Sequence, residues 1–291
     1  MRRALLLVLC VSALLGGAAL AGGAKQLPVG DGKVSSGPRV GYVYSCGTGP
    51  GGGGAFRDGP WIHGTTFDPS AKTAVQGAVS WPAHRLAITA SGGAIHITTN
   101  DLPSHTTGTF PIASGDPAYA YDRNPNAIRA QSFDVTLPAP RAAAAPSCLP
   151  GGPIGVLLSG AYLFDALDAM GRDAVAHEVQ DHCSGHPERS GAYHYHDLTP
   201  CLPAGSPRVH SPLVGYALDG FPIYGPRGDG GKLLTNADLD ACHGRTGPVI
   251  LRGKKVVSYH YVATAEYPYT LGCFHGTPIH AGGPVGGPPP P

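Results

Sequence analysis

The chain has few charged side chains for its length. Asp, Glu, Lys and Arg make up 13% of its 291 residues, and 20 basic residues stand against 19 acidic ones. This balance provides no broad basic surface, so the sequence predicts no nucleic-acid partner. Hydrophobic residues make up 42% of the chain. A disordered chain has the reverse balance of charge and hydrophobicity, so we expect a folded protein.

The chain also lacks the composition of a helical bundle. Its 44 Gly and 30 Pro residues would interrupt long helices. We find neither a heptad pattern nor an internal repeat. The sequence therefore predicts a loop-rich, mainly β single domain with one or two short helices, of the all-β or α+β class. Hairpins are expected where residues 86–89 and 94–99 flank a Gly-containing loop, and around Asp219-Gly220.

Other local signals refine this expectation. Residues 173–182 are the best helix candidate, and a capping box at Thr235 predicts a second short helix that ends near Gly244. Pro222 lacks an amide hydrogen, so we expect its strand to lie at a sheet edge or to be very short. The Ala/Pro-rich residues 138–153 predict a connection or a soft boundary.

The N-terminus has the form of a secretory signal. Arg2 and Arg3 precede an apolar run and small residues. We therefore expect cleavage after Ala21 to remove residues 1–21. The remaining chain has no run of membrane-spanning length, so we expect a soluble protein, secreted or extracytoplasmic, without stable membrane insertion. The predicted organisation is a flexible lead-in over residues 22–39, a β-rich domain over 40–280 and a disordered Gly/Pro tail over 281–291.

The cysteines agree with export. Six remain once the signal is removed, and an even number in an exported chain predicts up to three disulfides, whose pairing the sequence leaves open. They are Cys46, Cys148, Cys183, Cys201, Cys242 and Cys273. No two of them form a Cys-x-x-Cys pair, which argues against a thioredoxin-like or zinc-ribbon site.

Histidine is concentrated in one short segment. Five of the 14 histidines lie within residues 177–196. If residues 193–196 are extended, His194 and His196 share one face of the strand and the tyrosines share the other. Two neutral imidazoles on one face can bind one transition-metal ion. The sequence therefore predicts a metal site, with zinc or copper as the expected ion.

Further ligands have to come from elsewhere in the chain. We expect His186 and Asp181 to be additional ligands or to support the ligands through hydrogen bonds. The other candidates for a third ligand are His177, His182, Glu178 and His260. His177 and His182 are five residues apart, about 140° around a helix, so they do not form the His-Glu-x-x-His motif of zinc proteases.

Two other functions stay open. One is an extracellular module that binds a cell-surface or polysaccharide ligand, which is not identified, through the aromatic residues Tyr193, Tyr195, Phe221 and Tyr224. The other is a hydrolase that depends on a metal or on histidine, with a His/carboxylate pair such as His194 and Asp181. The chain has no Gly-x-Ser-x-Gly elbow and no phosphate-binding loop, so catalytic residues and substrate are left unassigned. A structural network of Tyr and His side chains is the alternative without a ligand.

Several motifs resemble the YHYH domain family. Asp181-x-Cys183-x-Gly185-His186-Pro187 is followed by Tyr-His-Tyr-His at residues 193–196. Similar segments lie at residues 98–111, 213–226, 239–245 and 266–278, so the resemblance spans about residues 95–280. It implies a secreted single-domain protein and no established activity. A second Tyr-His segment at residues 259–262 ends in Val262, where some relatives carry histidine.

Overall fold

The computed structural model describes residues 26–47 and 53–279. The predicted signal and the predicted C-terminal tail lie outside these residues. The strands are β1 (Leu27–Pro28), β2 (Val34–Ser35), β3 (Val43–Tyr44), β4 (Ile62–His63), β5 (Thr66–Phe67), β6 (Leu86–Ser91), β7 (Ala94–Thr99), β8 (Phe133–Leu137), β9 (Ala142–Ser147), β10 (Pro153–Leu157), β11 (Tyr162–Phe164), β12 (Gly185–Pro187), β13 (Tyr193–Tyr195), β14 (Leu213–Ala217), β15 (Pro222–Tyr224), β16 (Gly244–Leu251), β17 (Lys254–Val262) and β18 (Phe274–Gly276). The helices are α1 (Ala174–His177) and 3-10 turns at Pro117–Ala120, Asp229–Gly231 and Asn236–Asp238. The mainly β prediction is confirmed.

An eight-stranded sheet forms the centre of the molecule. Its order is β12-β13-β11-β10-β14-β15-β17-β16. Neighbouring strands are antiparallel except for the parallel pairs β11·β13 and β15·β17. Smaller sheets surround it, with the orders β1-β5-β4, β6-β7-β8, β2-β3 and β9-β18.

The central sheet contains a repeat that the sequence analysis did not find. In one half, the β10·β11 hairpin is followed by β13, parallel to β11, and then by β12 at the edge. In the other half, the β14·β15 hairpin is followed by β17, parallel to β15, and then by β16. The two halves meet where β10 and β14 pair antiparallel. The expectation of no internal repeat is therefore wrong for the strand order, because both halves of the sheet have the same arrangement of strands.

Both predicted hairpins are present. β6 and β7 pair antiparallel across Gly92 and Gly93, both of which have a positive φ. Two residues suffice for this turn, so the loop is tighter than expected. β14 and β15 pair antiparallel around Asp219-Gly220, and Gly220 has a φ of 85°. Gly and Asp adopt these turn conformations at low cost, which explains why the sequence predicted them.

Both predicted helices are shorter than expected. Asp173 caps α1 by accepting a hydrogen bond from the amide of Ala176, but α1 ends at His177. Glu178 is already extended, and the amide of Val179 donates to the carboxylate of Asp122. The capping box of Thr235 forms, yet its 3-10 turn covers only Asn236–Asp238.

The strand that contains Pro222 agrees with one of the two expected alternatives. β15 has 3 residues and is therefore very short, but it is not an edge strand, because it is flanked by β14 and β17. Pro222 is the first residue of its strand, a position that tolerates the missing amide hydrogen. The Ala/Pro-rich connection contains β9, which pairs with β18.

The predicted flexible lead-in is ordered from residue 26 onward. β1 pairs with β5, and Val29 is buried. The carboxylate of Asp31 accepts a hydrogen bond from the amide of Asp173 and lies 2.9 Å from Nε2 of His177. The folded domain therefore begins well before residue 40.

Buried aromatic rings and three disulfides hold the sheet in place. Tyr162, Tyr195, Tyr261 and Phe274 are among the fully buried side chains of the main core. The disulfides join Cys46 to Cys148, Cys183 to Cys201 and Cys242 to Cys273, as the even cysteine count predicted. Among the described residues, the helices are all too short and too polar to cross a membrane.

Candidate metal centre

Three histidines meet at one edge of the central sheet. β12 and β13 pair so that His186 lies opposite His194, and His196 follows directly after β13. All three are at least 96% buried. One ring nitrogen from each lies within 4.8 Å of the others. The predicted alternation of residues 193–196 is therefore what brings two of these imidazoles together.

Backbone carbonyls orient two of the rings. Nδ1 of His194 lies 3.2 Å from the carbonyl oxygen of Ala192, and Nδ1 of His196 contacts the carbonyl oxygen of Asp165. A carbonyl only accepts, so each Nδ1 carries a proton, and Nε2 is the nitrogen that can bind a ligand when the ring is neutral. Phe164 stacks on His194 with ring centroids 3.9 Å apart. Histidine ligands are typically held in this manner.

Glu178 is the carboxylate beside the histidines. Its Oε2 lies 3.3 Å from Nε2 of His186 and 3.3 Å from Nε2 of His196. Glu178 follows α1 directly, so the Asp173 cap that starts this short helix also places the carboxylate. The sequence indicated Glu178 only as one of several candidate ligands, because the contact depends on how the chain turns between α1 and β12.

Several polar atoms of this cluster are buried, and the 3.3 Å approaches between Glu178 and two of the rings do not have hydrogen-bond geometry. The buried atoms without a hydrogen-bond partner are Oε2 of Glu178, both ring nitrogens of His186 and Nε2 of His196. Leaving one such atom unpaired costs about 1–3 kcal/mol. Native proteins rarely bury several unpaired polar atoms at one place without a functional reason. A cation bound among these lone pairs would satisfy Oε2 and the Nε2 atoms together.

The electrostatics favour neutral ligands at two of the three positions. Burial lowers the pKa of His186 and of His194 well below the ordinary value, and the neighbouring imidazoles lower both further. Burial also opposes a proton on His196, but Glu178 and Asp165 together outweigh this effect, so the pKa of His196 is raised. His186 and His194 are therefore ready to bind a metal ion at neutral pH.

A cavity of about 840 Å³ adjoins the three histidines. Its walls include the aromatic rings of Phe56 and Phe164 and the polar side chains of Asp122, Arg123 and Asn124. A cavity of this size admits a small molecule. A metal ion held on this wall would therefore be open to solvent or to a ligand on one side.

Asp181 lies outside the histidine cluster. Its carboxylate accepts hydrogen bonds from the amides of Gly108, Cys183 and Gly185 and from the hydroxyl of Tyr193. These donors occupy its oxygens and hold the turn between α1 and β12. The structure thus gives Asp181 a structural position, and Glu178 is the acid that faces the histidines.

The aromatic residues predicted to bind a ligand are all buried. Tyr193 and Tyr195 project from the face of β13 opposite to the histidines, as expected, but into the core. Their hydroxyls bond Asp181 and Ser159. Phe221 and Tyr224 are also buried. None of the four rings contributes to an exposed binding surface.

The other candidate histidines have separate positions. His177 lies between the carboxylates of Asp31 and Asp58, 2.9 Å and 2.8 Å away. His182 is exposed. His260 is buried in the other half of the central sheet. None of them joins the group of His186, His194 and His196.

Fold and site together define a mainly β, disulfide-linked protein with a buried three-histidine cluster. Residues 132–233 match the family model described as YHYH protein, which confirms the resemblance to this family over that segment. The match includes all three clustered histidines and Glu178. Comparisons with curated proteins and with solved structures found no significant match.

Proposed function

We propose that the protein is exported and binds one transition-metal ion, zinc or copper, through Nε2 of His186, His194 and His196. The observation that carries this proposal is the convergence of three buried imidazoles, each of which has one ring nitrogen within 4.8 Å of the others. Zinc and copper both bind neutral imidazole. Glu178 would be a fourth ligand or would balance the charge of the ion.

Two features support the export part of the proposal. The N-terminal residues 1–21 have the three-part form of a secretory signal. The three disulfides are typical of proteins that fold in an oxidising compartment. N-terminal sequencing of the protein recovered from a secreting host tests this, with a start at residue 22 as the expected result and an intact Met1 as the contrary one.

The metal content of the purified protein tests the binding itself. We expect about one ion per chain by elemental analysis, and its loss in the His194→Ala/His196→Ala variant, because two of three ligands are removed. The exposed His63 provides a control, and His63→Ala should keep the ion. A wild-type protein that is folded, free of metal and unable to take up added zinc or copper would refute the proposal.

The cavity beside the three histidines favours a second candidate function, which is catalysis by the bound ion. An ion with three protein ligands and an open side can activate water, and Glu178 is placed to accept its proton. A metal-dependent hydrolase is therefore the activity to test. Turnover in a hydrolytic screen that is lost in His194→Ala/His196→Ala and retained in His63→Ala would support it, and no turnover by metal-loaded protein would contradict it.

A further inference from the structure

The topological repeat of the central sheet extends to its sequence. Residues 181–186 read Asp-His-Cys-Ser-Gly-His, and residues 240–245 read Asp-Ala-Cys-His-Gly-Arg. Residues 193–196 read Tyr-His-Tyr-His, and residues 259–262 read Tyr-His-Tyr-Val. The disulfides correspond as well, because Cys183–Cys201 and Cys242–Cys273 start from equivalent positions. We refer to residues 153–201 as the first unit and to residues 213–273 as the second unit.

In the first unit, one aspartate holds the turn that leads into β12. The carboxylate of Asp181 accepts hydrogen bonds from the amides of Cys183 and Gly185, at 2.8 Å and 3.3 Å. It also accepts one from the hydroxyl of Tyr193 at 3.0 Å. Gly185 has no space for a side chain, since a Cβ there would lie 2.2 Å from the ring of Tyr193.

The second unit repeats each of these contacts. The carboxylate of Asp240 accepts hydrogen bonds from the amides of Cys242 and Gly244, at 2.9 Å and 3.0 Å. The hydroxyl of Tyr259 donates to it at 3.2 Å. A Cβ on Gly244 would lie 2.2 Å from the hydroxyl oxygen of Tyr259. The turn and its neighbouring strands therefore have the same construction in both units.

The register places a counterpart at each metal-ligand position. Arg245 lies opposite His260 in β16·β17, as His186 lies opposite His194 in β12·β13. Val262 follows His260 by two residues, as His196 follows His194. The second unit therefore has His260, Arg245 and Val262 where the first has His194, His186 and His196.

The ring of His260 is held in the same way as the ring of His194. Its Nδ1 lies 3.0 Å from the carbonyl oxygen of Ser258, two residues earlier, just as Nδ1 of His194 contacts Ala192. Its Nε2 is buried without a hydrogen-bond partner. Tyr224 contacts its ring edge-on, at the position that Phe164 has beside His194.

We infer that the second unit contains a second transition-metal site whose scaffold is intact and whose ligand set is incomplete, with Arg245 and Val262 in place of two histidines. The inference rests on the proposed function for the chemistry of the first unit. Glu178 lies three residues before Asp181, and Ala237 occupies the corresponding position before Asp240. A restored site would therefore have three histidines and lack a counterpart of Glu178.

The double substitution Arg245→His/Val262→His tests the inference directly. We expect cobalt(II) or zinc titration to give two ions per chain instead of one, with the new site at least about tenfold weaker because it lacks a counterpart of Glu178. Arg252→His/Val257→His is the matched control, since both positions are exposed on the same β16·β17 hairpin. It should still bind one ion. A folded Arg245→His/Val262→His protein with no added site would overturn the inference.

The reverse exchange tests the equivalence of the units without reference to metal. His186→Arg/His196→Val introduces the residues that the second unit already contains at these places. We expect a folded protein whose Tm, measured with a chelator present, lies within about 4 °C of the wild type. Unfolding, or a much larger loss, would show that the two scaffolds are not equivalent. This result stands even if the wild type binds no metal, so it separates failure of the inference from failure of the proposed function.

Discussion

Individual side chains determine whether the histidine cluster can bind an ion. Carbonyl oxygens of Ala192 and Asp165 hold two imidazoles with Nε2 directed away from the backbone. His186 has no carbonyl partner of this kind, and its ring contacts Glu178 and the other two imidazoles. Glu178 therefore has the largest remaining influence, because it lies 3.3 Å from two of the three rings.

The first prediction concerns the charge of Glu178. Glu178→Gln keeps the size of the side chain and removes the negative charge, so we expect metal affinity to fall about 10–100-fold. Competition with a chromophoric chelator measures this change. Glu188→Gln makes the same substitution in the wall of the same cavity and should leave affinity unchanged. Equal affinities for wild type and Glu178→Gln would place the carboxylate outside the coordination environment.

The second prediction concerns acid stability. His243 is buried, with its Nε2 3.0 Å from the hydroxyl of Thr264, and burial lowers its pKa to about 3. Below about pH 6.5 the unfolded chain takes up a proton that the folded chain refuses. The free energy of unfolding should therefore fall with pH, down to the folded pKa, with a slope of up to about 1.4 kcal/mol per pH unit from this residue.

His243→Asn removes this titration and suits the left-handed backbone of the position, where φ is 66°. Urea unfolding between about pH 7 and pH 4 should then show a shallower decline in the free energy of unfolding than in the wild type. His63→Asn, on the exposed surface, serves as the control. If the free energy of unfolding declined equally with pH in the wild type and in His243→Asn, the lowered pKa of His243 would be contradicted.

At the level of elements, the strands beside the three histidines lie between two cysteines that form one disulfide. Cys183–Cys201 encloses β12 and β13, and all three histidines lie between the two cysteines. Cys242–Cys273 encloses β16 and β17 in the same manner. The pair of bridges allows the effect on stability to be separated from the effect on the site.

Removing each bridge in turn should show this difference. Cys183→Ser/Cys201→Ser and Cys242→Ser/Cys273→Ser should each lower the free energy of unfolding by about 3–4 kcal/mol, because the closed loops span 18 and 31 residues. Only the first variant should also lose metal affinity. Chelator competition on both proteins, kept under folding conditions, provides the comparison. A similar loss of affinity in both would indicate a general effect of instability.

The elements also show which features the sequence could predict. Hairpin turns were predictable because Asp219-Gly220 and Gly92-Gly93 favour them through their own backbone preferences. The length of α1 was not predictable from the sequence. The amide of Val179, just after the helix, donates to Asp122, which lies 57 residues away in the chain. The pair His194 and His196 followed from strand alternation, whereas the approach of Glu178 depends on where α1 packs. The repeat was visible in the sequence as two Asp-x-Cys-x-Gly segments, but their common strand order appears only in three dimensions.

At the level of the whole molecule, the N-terminal segment is part of the fold that supports the site. Asp31 contacts both Asp173, which caps α1, and His177, which ends it. Glu178 comes next in the chain. The predicted domain start at residue 40 would remove this support.

A chain that starts at residue 40 should therefore be less stable than one that starts at residue 26. We expect a Tm lower by roughly 5–10 °C, because the β1·β5 pairing, the burial of Val29 and the contacts of Asp31 are lost together. Calorimetry of the two truncated chains measures the difference. The same Tm for both would show that residues 26–39 do not contribute to folding.

The position of the three histidines between Cys183 and Cys201 has a consequence for when the ion is acquired. In the reduced, unfolded chain these ligands are spread over a freely moving segment, and closing the bridge shortens the distances that separate them. For a chain that binds the proposed ion, we therefore expect the bridge to close before the ion binds efficiently. The proposed function would then assign metal acquisition to the compartment where the cysteines are oxidised.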